Sequence, residues 1–229
     1  MNLKNMYSTL ETMSKPDNMI AYGHRVAKWN EVARIGRGGM STDIKLQTNL
    51  IKEELSELIE ALSSSDKAAV IDAACDLFVV SSYALRLVQW DTEKWESCMV
   101  PSDTIELQIG SLLDLVHKDK LKISDYAEIL KQVVALCYKL DINLGYNMEE
   151  VLNSNDSKFP TITQLLVKYP DYKDKELEML EFECKEIERR SKGRYNSVIH
   201  VQVGDRVAFM DGDGKIMKPI TFVEPIIKV

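Results

Sequence analysis

The sequence predicts an all-α protein with a helical-bundle core and a small β hairpin near its C-terminus. Apolar residues recur at helical spacing through several segments of the first 160 residues. One of these segments, residues 68–80, is apolar on every side apart from two aspartates, which is typical of a helix in the middle of a bundle. By contrast, the stretch 198–210 is rich in β-branched residues that partly alternate with polar ones, which favours a hairpin.

The first half of the chain divides into three predicted helices. The first is expected over about 17–34 and ends before a stretch with Gly36, Gly38 and Gly39. This glycine-rich stretch follows no strand and lacks the G-K-[ST] of a phosphate loop, so we interpret it as a flexible connection. The second helix is predicted over 42–62 and the third over 66–88, with a run of serines between them.

The second half is predicted to add an amphipathic helix pair and a mixed C-terminal region. The pair covers about 103–117 and 124–140. The charge-dense stretch 171–192 is expected to be a largely exposed helix, anchored only by Leu177, Leu180, Phe182 and Ile187. The D-G-D-G sequence at 211–214 is expected to supply the turn of the hairpin. We therefore expect a helical core over 1–160, an inserted helix and hairpin over 161–212, and a tail over 213–229 that packs back on the core.

Composition excludes several classes of protein. The chain has 229 residues, 45% of them hydrophobic, and a net charge of −7, which argues against a binder of duplex nucleic acid or of an anionic membrane. A phosphate ligand stays compatible with this charge, because bound cations can reverse it locally.

The cysteines and the apolar segments exclude further classes. No C-x-x-C pair suggests a zinc knuckle, and the cysteines are expected to be free thiols. With no apolar span of about 20 residues and no secretory signal, a cytoplasmic protein is expected.

Five acidic residues on two adjacent predicted helices are the strongest chemical signal. Glu53, Glu54 and Glu57 lie at helical spacing in the middle of the second helix. Taken alone they are compatible with a solvated acidic face. Asp72 and Asp76 change this interpretation, because they share one face of the most apolar helix, where an unpaired carboxylate is costly.

A divalent metal shared between these helices is the simplest way to compensate the carboxylates. The segment 68–85 contains no Lys or Arg that could pair with the aspartates. A ligand set made of oxygen atoms alone, without histidine, suits Mg²⁺, with Mn²⁺ as the alternative. The isolated histidines also exclude a ferritin-like di-iron bundle, which needs E-x-x-H pairs.

The acidic motifs resemble those of the MazG-like all-α nucleoside triphosphate pyrophosphohydrolases. E-E-L-S-E at 53–57 is similar to the family's E-E-x-x-E, and D-A-A-C-D at 72–76 is similar to its E-x-x-D. Ala73 stands where the family has the glutamate, and Asp72 is expected to substitute for it. The stretches S-N-D-S-K at 154–158 and D-G-K-I-M-K-P at 213–219 resemble two later family segments, in the family's order.

The resemblance implies Mg²⁺-dependent cleavage of a nucleoside triphosphate, preferably a deoxynucleotide, to the monophosphate and pyrophosphate. It implies that the metal is held by Glu54, Glu57, Asp76 and Asp72, and that Glu53 orients or deprotonates the attacking water. Four further residues are implied to contact the substrate: Asn155, Lys158, Lys215 and Lys218. Without the resemblance, the three lysines would be ordinary surface residues.

Several alternatives stay open at the level of sequence. Trp29 is either a core residue or a platform on which the base stacks. The chain could instead be a phosphoribosyl-ATP pyrophosphohydrolase, a catalytically silent nucleotide-binding protein or a helical adaptor. Because one helix is apolar on all sides and family members complete their bundles across subunits, a homodimer or homotetramer is expected.

Overall fold

The computed structural model describes residues 16–34, 40–87, 104–118, 120–212 and 214–229. Within these residues the chain forms eight α-helices, one 3-10 helix and one two-stranded antiparallel sheet. The helices are α1 (Pro16–Ala33), α2 (Met40–Ser64), α3 (Lys67–Leu87), α4 (Ile105–Val116), α5 (Ile123–Lys139), α6 (Leu144–Ser157), α7 (Ile162–Lys168) and α8 (Glu176–Arg190). The 3-10 helix is Pro170–Tyr172, and the strands are β1 (Ile199–Val203) and β2 (Arg206–Met210). The predicted all-α fold with a small C-terminal hairpin is confirmed.

The chain divides into two compact units. The described residues of the first unit are 16–27, those between 40 and 151, and 226–229. Those of the second unit are 28–34 and 152–225. The second unit therefore includes the end of α6 together with the predicted insertion and most of the predicted tail. The glycine-rich connection and Cys98 lie outside the described residues.

Helices α2 and α3 form a tight antiparallel hairpin in the first unit. Only Ser65, with φ of 60°, and Asp66 separate them. The Asp66 carboxylate accepts hydrogen bonds from the backbone N–H groups of Ala68 and Ala69, which caps α3. Near the other end of the pair, the buried Gln47 side chain donates to the carbonyl of Val80 at 2.7 Å. These contacts fix which residues of the two helices lie at the same level.

Helix α3 is the central helix of the first unit, as its all-round apolar character predicts. It packs against α2 on one side and α5 on another. Its buried residues include Ile71, Leu77 and Phe78, and the Phe78 ring makes an edge contact with Tyr22 of α1 at 6.0 Å between centroids. Asp72 and Asp76 are only partly buried, so the one charged stripe of α3 faces away from the best-packed part of the core.

The second unit has its own apolar core around α8 and the hairpin. Its buried residues come from α7, α8, the strands and the tail: Ile162, Leu165, Met179, Leu180, Cys184, Ile187, Val198, Val207, Phe209 and Met217. Helix α7 was not predicted, and it begins at a capping box in which the side chains of Thr161 and Gln164 each bind the other's backbone N–H.

The hairpin turn is not where the sequence suggested. Strands β1 and β2 pair in the register Ile199 with Met210 and Val203 with Arg206, so the turn lies at Gly204 and Asp205. Gly204 has φ of 60°, which suits a glycine in such a tight turn. The D-G-D-G stretch instead starts a second turn, which leads to a bridge between Met210 and Ile216. This turn brings the beginning of the tail alongside β2.

Helix α8 is shorter and better anchored than predicted. It starts at Glu176, and Leu177 in its first turn is 61% exposed rather than an anchor. Met179 and Cys184 are buried in its place, and so is Glu183, whose side chain is fully inaccessible. This charge-dense sequence therefore forms a helix with one buried face.

No helix in the described part of the chain is long and apolar enough to cross a membrane.

Candidate active site

The α2–α3 hairpin brings the five predicted acidic residues to one region. Gln47 lies level with Val80, so Glu54, seven residues further along α2, lies about level with Ala73, seven residues earlier on α3. Asp72 and Asp76 flank that level, one turn apart, because antiparallel helices have matching rises per residue. Glu54, Asp72 and Asp76 are partly buried, whereas Glu53 and Glu57 are exposed.

Glu54 lies at the electrostatic centre of this group. The pKa of its carboxyl is raised from 4.5 to about 8, first by burial and then by the neighbouring carboxylates of Asp76, Glu57, Glu53 and Asp72, in that order of importance. Its Oε2 atom is buried and has no hydrogen-bond partner within the described residues. Such an atom is costly to bury unless a proton or a cation compensates it.

These features fit a divalent cation that prefers oxygen ligands. The donor atoms are all carboxylate oxygens, which Mg²⁺ and Mn²⁺ accept. Among the described residues, however, no three acidic, histidine or cysteine side chains converge at ligand distances. The two helices thus bring the carboxylates to one region, but the side chains would have to turn to hold a cation together.

The second unit collects the predicted residues of the S-N-D-S-K and tail segments. Lys158 donates to the Asn155 side chain at 2.7 Å, and its Nζ lies 5.9 Å from the centroid of the Phe222 ring. The Nζ of Lys218 lies 4.2 Å from the same ring and 2.9 Å from a carboxylate oxygen of Glu224. Phe222 is therefore the point where these two segments meet.

Hydrogen bonds hold the tail against the end of α6. The backbone N–H of Val223 donates to the Ser157 hydroxyl at 2.9 Å, and the Thr221 hydroxyl donates to the Ser157 carbonyl at 3.0 Å. In the first unit, Asn147 of α6 exchanges two hydrogen bonds with the backbone of Lys228, at 2.8 and 3.2 Å. An apolar tail that is fixed at these points is an ordered part of the structure.

The remaining two predicted residues contact rings other than that of Phe222. Lys215 lies at the end of the second turn, and its Nζ is 5.8 Å from the centroid of the Tyr195 ring. Trp29 is buried, and its ring stacks on Phe159 at 6.4 Å with an interplanar angle of 19°. Its indole Nε1 is buried and lacks a hydrogen-bond partner within the described residues. This environment favours the core interpretation of Trp29 over the interpretation as a stacking platform.

Comparison with known protein families gives a match that covers the α2–α3 helical hairpin. Residues 39–92 match the family model described as phosphoribosyl-ATP pyrophosphohydrolase, which is a member of the MazG-like all-α superfamily. The matched segment belongs to the MazG-like superfamily. It contains α2 and α3, with all five acidic residues of the candidate site. No curated protein and no solved structure matches the chain.

This family match indicates a pyrophosphohydrolase that acts on a substrate resembling a nucleoside triphosphate. The match ends before α4, so it carries no information on the second unit. In that unit, sequence analysis assigned no role to Arg190, Arg194 or Tyr195, although these residues lie beside the predicted Lys215 and Lys218. Their signal in the sequence was weak, because basic residues at the end of a charge-dense helix usually face solvent.

Proposed function

We propose that the protein hydrolyses a nucleoside triphosphate, preferably a deoxynucleoside triphosphate, to the monophosphate and pyrophosphate with the help of Mg²⁺. The observation that carries this proposal is Glu54, a partly buried carboxyl with an orphaned oxygen and four acidic neighbours, on a segment that matches a pyrophosphohydrolase family. A divalent cation would satisfy the orphaned oxygen and relieve the repulsion that raises the pKa of this group.

The acidic residues divide naturally into two roles. Glu54, Glu57, Asp76 and Asp72 would hold the cation, since they come from facing levels of the two helices. A cation held there would supply activation of the attacking water and neutralisation of charge on the phosphate oxygens. Glu53 is exposed on the same helix, next to Glu54, and would orient the attacking water and accept its proton. The products of attack between the α and β phosphates are a nucleoside monophosphate and pyrophosphate.

Phosphoribosyl-ATP is a second candidate substrate, and the family match favours it specifically. The matched model bears the name of that enzyme family, and phosphoribosyl-ATP contains the same triphosphate chain. The two candidates differ in the base and ribose, whereas carboxylates that hold a cation would act on the phosphate chain. The same metal site would serve either substrate.

A screen of substrates tests the proposal. The purified protein is incubated with Mg²⁺ and, separately, with each of the common NTPs and dNTPs and with phosphoribosyl-ATP, and the products are separated by ion-exchange chromatography. The proposal expects equal amounts of monophosphate and pyrophosphate, with the highest kcat/KM for a dNTP. Release of orthophosphate instead of pyrophosphate would refute the cleavage position, and a preference for phosphoribosyl-ATP would establish the second candidate.

A further inference from the structure

The second unit contains a cavity of about 630 Å³ that three separate segments line with basic residues. Arg190 comes from the end of α8, Arg194 from the loop that follows it, and Lys215 and Lys218 from the tail. Tyr195 and Phe222 line the same cavity. The convergence of four cations in a chain of net charge −7 is unexpected for a surface without a ligand, because like charges repel one another.

Two of these cations have carboxylate partners among the residues that the structure describes, and two have none there. Arg190 binds the buried Glu183 at 2.6 Å, and Lys218 binds the exposed Glu224 at 2.9 Å. Arg194 and Lys215 form no ion pair with any described residue, and each instead lies over the ring of Tyr195, at 5.3 and 5.8 Å from its centroid. The described residues that line the cavity include four cations and no carboxylate.

The basic residues are held in place by buried contacts. The side chain of Glu183 accepts hydrogen bonds from Arg190, from the Tyr169 hydroxyl and from the backbone N–H of Ile220, which joins α8 to the tail. Burial and the Glu183 carboxylate raise the pKa of Tyr169 to about 12, so its hydroxyl stays a donor. The beginning of the tail is therefore fixed beside α8, where Lys215 and Lys218 flank the cavity.

The loop that carries Arg194 and Tyr195 is also shaped by specific contacts. Lys192 and Gly193 have φ of 54° and 83°, which reverses the chain directly after α8. The Ser191 hydroxyl donates to the Glu188 carbonyl at 2.6 Å and accepts from the backbone N–H of Tyr195 at 3.1 Å. Because of this turn, the Tyr195 ring lies near both Arg194 and Lys215.

We propose that this cavity binds a condensed phosphate, either pyrophosphate or the phosphate chain of a nucleotide. Its volume suits a ligand of mononucleotide size, and planar guanidinium groups bind phosphate oxygens in pairs. Four cations and no carboxylate among the described lining residues favour a ligand with several negative charges. Preference for a condensed phosphate over another polyanion rests on the proposed function, whereas the basic cavity itself does not.

The test measures pyrophosphate binding by isothermal titration calorimetry with the full-length protein in EDTA, so that neither metal nor turnover is involved. The variant R194A/K215A removes the two cations that lie over the Tyr195 ring, and K168A/K173A removes two exposed lysines of the same unit that lie outside the cavity. We expect the first variant to bind pyrophosphate at least about tenfold more weakly and the second to bind as the wild type does. Absence of binding to the wild type, or equal binding by R194A/K215A, would overturn the proposal.

Two further measurements make the result specific. Hydrogen exchange should show that pyrophosphate protects the peptides around 190–195 and 215–222 in the wild type, and protection elsewhere alone would also overturn the proposal. Steady-state kinetics then identify the source of the phosphate. If R194A/K215A raises KM for the triphosphate in step with the loss of pyrophosphate binding, the bound phosphate belongs to the substrate. If KM is unchanged and only the response to added pyrophosphate is lost, the cavity binds a separate effector.

Discussion

The pKa of Glu54 makes the stability of the metal-free protein depend on pH. The folded state binds a proton at Glu54 more tightly than the unfolded state does, because the pKa rises from 4.5 to about 8 on folding. The stability that this proton provides is fully present below about pH 4.5 and is lost as the pH rises to about 8. A rise of this size corresponds to at most about 5 kcal/mol. Since the side chain is only partly buried, solvent screening reduces the expected loss to about 1–3 kcal/mol.

Urea denaturation in EDTA between pH 5 and 9, followed by circular dichroism at 222 nm, measures this loss. Glu54→Gln stays uncharged at every pH, so its free energy of unfolding should fall less than that of the wild type by about 1–3 kcal/mol over this range. Glu60→Gln removes an exposed carboxylate from the same helix and is the matched control. Saturating Mg²⁺ should stabilise the wild type most above pH 8, where binding no longer has to displace the proton. Parallel pH profiles for the wild type and Glu54→Gln would refute this account of Glu54.

Three further predictions concern the second unit, the tail and the assembly. Glu183→Ala should destabilise the second unit by about 3–5 kcal/mol, because it leaves Arg190 without its buried partner, and hydrogen exchange in the peptides of α8 should rise accordingly; exchange rates like those of the wild type would show that the buried pair contributes little. Lys218→Ala should lower kcat/KM at least several-fold, as a charged hydrogen bond contributes about 1.5–3 kcal/mol; unchanged kinetics in a folded variant would leave the tail as a structural cover. Sedimentation velocity at micromolar concentration should show a species larger than the 26.1 kDa of one chain, and a purely monomeric profile would contradict the expected homo-oligomer.

The helical core could be predicted because residues close together in the sequence determine its helices. The apolar spacing of α2 and the all-round apolar character of α3 determine both helices, and the short serine and aspartate link between them makes them antiparallel neighbours. The acidic residues then come to one region without any knowledge of the rest of the chain. Helix α7 could have been found in the same way, because T-x-x-Q at 161–164 is a local capping signal.

The features that the sequence did not reveal depend on contacts between distant residues. Glu183 lies in a run of charges and is buried only because Tyr169, Arg190 and Ile220 surround it in the folded unit. The hairpin turn could be assigned to either of two G-D sequences, and only the pairing of β1 with β2 selects Gly204 and Asp205. The basic cavity likewise requires the tail to return to the end of α8.

Metal-dependent turnover of an Asp76 variant tests the central claim, that carboxylates on α2 and α3 hold the catalytic cation. The wild type, Asp76→Asn and the control Glu60→Gln are compared with the best substrate of the screen, each with Mg²⁺ and with EDTA. The account predicts pyrophosphate release that requires Mg²⁺, persists in Glu60→Gln and falls by orders of magnitude in Asp76→Asn while the helical circular dichroism stays near native. Near-native turnover of Asp76→Asn, or turnover of the wild type in EDTA, would contradict it.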